Sequence, residues 1–134
     1  MKTRISIIVA SAVFLATIPA LAHHSFTSFW YMDRTVAIEG IVTSVRLVNP
    51  HPEMKVEVAE ANGQKSIWSI TGRATGSGIV KAGWTADTVP IGTKVKVEGA
   101  PSRKEGAKAL AAGKITKADG SIVWFGGGGG IPQG

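Results

Sequence analysis

The chain contains no cysteine. A small exported domain often staples itself with disulfides, so here the fold must be held by apolar burial alone, and thiolate metal sites and cysteine nucleophiles are excluded. Blocks of like charge are missing as well. The basic residues are scattered from Arg34 to Lys117 without the stripe that a nucleic-acid partner requires, so none is expected. Catalytic signatures are also lacking: there is no Gly-x-Ser-x-Gly, no His-Glu-x-x-His and no pair of carboxylates at catalytic spacing. Gly76-Ser77-Gly78 lacks the strand-to-helix setting of a nucleophile, and the glycines at 126–130 are not followed by the Lys-Ser/Thr of a phosphate loop. A non-enzymatic protein is the expectation.

What is present begins with an export signal. Lys2 and Arg4 precede an apolar stretch from Ile5 to Ile18, and Ala20-Leu21-Ala22 supplies the small residues read by a signal peptidase. The apolar run falls short of the roughly 20 residues that span a bilayer, so a leader cleaved after Ala22 is favoured over a permanent anchor. The organisation expected is a signal peptide over 1–22, one domain over 23–125 and a flexible glycine-rich tail over 126–134. The mature protein would be periplasmic or secreted, with no transmembrane anchor. Without Lys2 and Arg4 the 15 basic residues become 13 against 9 acidic ones, a net charge near +4 that serves solubility.

The mature chain alternates with a period of two. Phe26, Phe29, Trp30 and Tyr31 form an aromatic start that should pack onto the domain. Val36, Ile38, Gly40 and Val42 share one parity and Val45 and Leu47 the other, which demands a bend at Gly40 or a bulge near Thr43-Ser44 in a long first strand. Asn49-Pro50-His51-Pro52 stops that strand. Met54, Val56 and Val58 then alternate with charge, and Asn62-Gly63 turns into a strand carrying Trp68 and Ile70, a hairpin. A short helix capped by Thr75 or Ser77 and closed by Gly83 is compatible with Ile79, Val80 and Ala82. Pro90-Ile91-Gly92 turns into a strand with Val95 and Val97, a further strand follows over 107–116, and Asp119-Gly120 leads into Ile122, Val123 and Trp124. About five strands with a bent first strand and a connection between the third and fourth fit an all-β domain with at most one short helix. The architecture expected is a small Greek-key barrel like the oligonucleotide/oligosaccharide-binding (OB) fold, with an open sandwich as the alternative.

His23-His24-Ser25-Phe26, Asn49-Pro50-His51, Asn62-Gly63 leading to Trp68, Ala82-Gly83-Trp84-Thr85, Ile91-Gly92-Thr93 and Ala100-Pro101-Ser102-Arg103 form an ordered set from His23 to about Trp124. This set resembles a large family of functionally uncharacterised secreted bacterial proteins. The resemblance implies an export route and a fold, and carries no activity with it. Members often have an aromatic before the Asn-Pro-His turn, where this chain has Val48, and an acidic residue three places after the hairpin tryptophan, where it has Thr71.

Two binding chemistries are compatible with these residues. Cleavage after Ala22 would leave His23 with a free α-amine, which with its own ring nitrogen chelates one ion, and an imidazole from His24 or His51 would complete a nitrogen-rich site suited to copper as Cu(II). Met54 offers a thioether for Cu(I). The bland alternative makes His23 and His24 the border of the leader and His51 a polar turn residue. The second chemistry is an aromatic sheet face recognising a glycan, a small molecule or another envelope protein. Trp68, Trp84 and Arg73 are its first candidates, and Trp30, Tyr31, Trp124, Arg34, Arg46 and Arg103 could extend it. Against it stands the need of a disulfide-free domain for tryptophan in its core. Amino-terminal sequencing of exported material should read His-His-Ser-Phe, and an uncleaved leader would remove both the amine and the export assignment.

Overall fold

The structure is a computed structural model in which residues 26–126 are described. The expected leader over 1–22, His23, His24 and the expected tail from residue 127 onward lie outside the described residues. A helical turn, α1, covers residues 26–29. It is followed by β1 (Val36–Arg46), β2 (Glu53–Ala59), β3 (Lys65–Gly72), the helix α2 (Gly76–Lys81), β4 (Lys94–Pro101), β5 (Ala109–Lys117) and β6 (Ile122–Trp124).

β1, β2 and β3 form an antiparallel meander, and β1 also pairs with β4, which pairs with β5. β3 and β5 run parallel from Ser69 opposite Ala109 to Gly72 opposite Ala112, and this pairing closes the ring. The result is the all-β, five-stranded Greek-key barrel expected from the sequence, and the β3–β5 pairing rules out the open sandwich. β6 is added outside the ring, pairing with the second half of β5.

One strand reaches two neighbours because β1 is irregular in its middle. Its first half faces β4, from Val36 opposite Gly99 to Ile41 opposite Lys94, and its second half faces β2. Register shifts between Val42 and Ser44, leaving Thr43 as the extra residue. Ile38 and Val42 are therefore buried before the bulge, while Val45, of opposite parity, packs on the core after it. Gly40 is needed just ahead of this point, since a Cβ there would lie 2.1 Å from the Glu57 carbonyl oxygen. The turn before β4 holds the bulge in place: the Val42 amide donates to the Thr93 carbonyl, and Gly92 donates to the Val42 carbonyl.

The interior is filled by the inward residues of every ring strand, among them Val42, Met54, Val56, Ile70, Val95, Val97, Leu110 and Ile115. No polar or charged residue is buried among the described residues. α2 joins β3 to β4, capped by the Thr75 hydroxyl, which accepts from the Gly78 amide, and followed by Gly83 at φ 104°. It adds Ile79 to the core, and the segment after it adds Trp84 and Val89. Phe125, beyond β6, is fully buried and lies 5.0 Å from the Trp84 ring. Gly126, which the sequence pattern assigns to the tail, is buried at φ 103°, its Cα face against Ala74.

A Gly40→Ala substitution should lower unfolding stability by about 1–3 kcal/mol, the range for forcing added volume into a packed position. Urea unfolding measures it, and a midpoint equal to wild type would mean that β1 and β2 can separate at no cost.

Candidate functional site

His51 lies in the six-residue connection, residues 47–52, between β1 and β2. Two elements fix this connection. Asn49 accepts from the Ser77 amide through its side-chain oxygen at 3.0 Å, and the carbonyl of the fully buried Pro52 accepts from the Gly72 amide at 2.8 Å. α2 begins so close above it that a Cβ on Gly76 would stand 2.1 Å from the Val48 carbonyl oxygen. The His51 ring is half-buried, and its Nδ1 is 3.0 Å from the Ala74 carbonyl oxygen. A carbonyl only accepts, so Nδ1 carries the proton and donates; in the neutral ring Nε2 then keeps its lone pair. Metal-binding histidines are oriented in this way, by a backbone carbonyl on the nitrogen that does not ligate.

Phe26 packs edge-on against this ring, with centroids 5.5 Å apart and planes at 73°. The aromatic start is tied to the barrel at several further points. Trp30 bridges to Ser102, and the Tyr31 amide donates to the Pro101 carbonyl. Arg103 donates from Nε to the carbonyls of Thr27 and Trp30 and lies over the Tyr31 ring at 4.3 Å. Arg103 is thereby an anchor for residues 27–31 and not a free ligand-binding cation. Among the described residues no group of three or more histidine or acidic side chains converges as a metal centre, so His51 stands as a single imidazole there. His23 and His24 fall outside the described residues. Met54 is 1% exposed, with its thioether in the core, which removes it as a Cu(I) ligand: its position opposite Ile70 on the inward face leaves no approach for an ion.

The first aromatic-face candidates, Trp68, Trp84 and Arg73, do not form one surface. Trp84 is 1% exposed, its ring tilted at 46° against that of Phe125, and donates from Nε1 to the Trp124 carbonyl at 3.0 Å. Its assignment as a ligand platform is corrected: the indole supplies the core with volume and satisfies its one donor internally. Trp68 is half-buried on the inward face of β3, with Lys108 at 5.9 Å from its ring. Its Nε1 is buried near Glu60, short of hydrogen-bonding geometry. Hydrogen bonds from Lys108 and Ser66 hold the Glu60 carboxyl below its usual range. Arg73 follows β3, five residues from Trp68, roughly 16 Å at the strand rise. It lies beside Trp124, one of the residues named as extending the face, and beside Gly113, which the sequence did not point to.

A family model described as a family of unknown function, DUF6152, matches residues 11–111. The chain belongs to this family. The match spans the aromatic start, the Asn-Pro-His turn, α2 and β1 to β4, and it ends inside β5, before Gly113 and β6. The family of uncharacterised proteins indicated by the ordered motifs is thus the one found. No curated protein matches the chain.

Replacing Trp84 by alanine should cost about 3–5 kcal/mol of stability, as for other buried aromatics. Chemical denaturation reads this directly, and a loss under 1 kcal/mol would return Trp84 to the surface and to the list of ligand contacts.

Proposed function

We propose that the protein is an exported, non-enzymatic binding protein of the bacterial envelope that takes up copper or a related ion at its mature amino terminus. The His23 α-amine and imidazole form the chelate, and an imidazole from His24 or His51 completes it. The observation that carries this reading is the pose of His51. Its Nδ1 is committed to the Ala74 carbonyl, its Nε2 lone pair is left for a ligand, and Phe26 packs against its ring. Phe26 follows His24 by two residues and His23 by three, contours of at most about 7 and 11 Å. The terminal histidines are therefore tethered within reach of the third imidazole.

Nitrogen ligands of this type suit Cu(II), and the absence of cysteine removes the soft thiolates that would favour other ions. Binding must displace the proton of an amine whose ordinary pKa is about 7.7–8.0, so affinity should rise as pH increases from 6 to 8.

The test uses protein beginning at His23. Titration with Cu(II) should show affinity lowered by about tenfold or more, the scale of disturbing a metal site, both in His23→Ala and in a version carrying one added amino-terminal alanine. His51→Ala should weaken binding by a similar factor if His51 rather than His24 supplies the third nitrogen. Equal affinity in wild type, His23→Ala and the extended version would eliminate the chelate.

A further inference from the structure

The barrel carries a second irregularity, on β5. Glu98 faces Lys114 while Gly99 faces Ala112, so Gly113 is an extra residue with no partner on β4. Both strands are bare here. Gly113 has no side chain, and Gly99 packs so closely that a Cβ on it would lie 2.4 Å from the Ala111 carbonyl oxygen. The consequence is a recess of about 260 Å³ floored by Gly99, Ala100 and Gly113. Bulges of this kind are common beside binding sites because they re-aim the flanking side chains.

The walls have a definite chemistry. A Cβ placed on Gly113 would be 4.0 Å from a terminal guanidinium nitrogen of Arg73 and 4.0 Å from the Trp124 ring, so a cation and an indole flank the same point. Arg34 and Lys114 also line it, together with Met32 and Thr35, with Glu98 as its carboxylate. Lys114 and Glu98 neutralise each other at 3.2 Å. Arg73 and Arg34 make no ion pair among the described residues, and Arg34 is held at 4.2 Å over the Tyr31 ring. Two guanidinium groups thus remain uncompensated around one recess.

We propose that this cleft binds a small flat organic carboxylate, with the carboxylate taken by Arg73 and Arg34 and the flat body lying against Trp124. Guanidinium groups pair carboxylates through two parallel N–H bonds, and an indole face takes a planar apolar body. The volume sits just below the roughly 300–1,000 Å³ of drug-sized ligand pockets, which suits one ring or a similar skeleton. This site is separate from His51 and independent of the metal reading.

Benzoate is the probe, with benzyl alcohol as its uncharged counterpart and acetate as the same charge without the ring. Calorimetric titration at low ionic strength should detect benzoate at millimolar concentration and show both controls weaker by about tenfold, the value of one charge-assisted contact. Arg73→Gln and Arg34→Gln should each weaken benzoate by a similar factor. Gly113→Leu should abolish binding with every charge retained. If that variant does not fold by circular dichroism, Gly113→Ala, whose added methyl meets nothing nearer than 4.0 Å, should fold and still reduce affinity. His23→Ala should leave benzoate binding unchanged. No benzoate binding, equal binding of benzyl alcohol, or binding indifferent to Arg73→Gln and to Gly113→Ala would each overturn the proposal.

Discussion

Four residue pairs, from Ser69 opposite Ala109 to Gly72 opposite Ala112, join β3 to β5 in parallel and convert a sheet into a barrel. Without them both strands would expose free backbone donors and acceptors along these segments, and the inward faces of β1–β3 and of β4–β5 would lack a common interior. With no disulfide to substitute, the shared apolar interior created by this closure is what holds the chain together. Closure also has local consequences. It places Arg73, at the end of β3, beside Gly113 on β5, and it brings the segment carrying Ala74 against both His51 and Gly126.

Departures from regular pairing then decide where chemistry is possible. The extra residue at Thr43 accompanies the change of β1 from pairing with β4 to pairing with β2. The extra residue at Gly113 has another outcome, because it has no side chain and the adjoining Gly99 of β4 has none, so the strand pair opens a recess there. The same kind of backbone event therefore accompanies a change of partner in one place and a cavity in another.

The candidate sites were legible to unequal degrees. His51 was visible as the one histidine in a proline-bounded turn, but its hydrogen bond to Ala74 links residues 23 positions apart and has no local signature. Trp84 and Trp68 look alike in sequence, each a tryptophan near a glycine or a turn. Only the path after α2 sends Trp84 into the core against Phe125. Met54 shows the same limit: a thioether near a histidine along the chain is directed inward by the alternation of β2. Arg73 was grouped first with Trp68 and Trp84, whereas its neighbours in the fold are Trp124, named only as an extension of that face, and Gly113, which reach it through strand pairings made long after residue 73.

Alternation of apolar and polar residues, the parity change across Thr43, the proline-bounded turn at His51 and the glycine turns are local properties. They were sufficient to specify the strands, an irregularity in the middle of β1 and the hairpin, because a period-two pattern must put one face inward wherever the strand lies, while the choice of a barrel over an open sandwich waited for the β3–β5 pairing. Which tryptophan fills the core, which cation keeps an open face and where a cavity forms were decided by tertiary structure alone. Those outcomes depend on contacts between residues far apart in the chain, and no local rule of spacing encodes which strand will come to lie beside which.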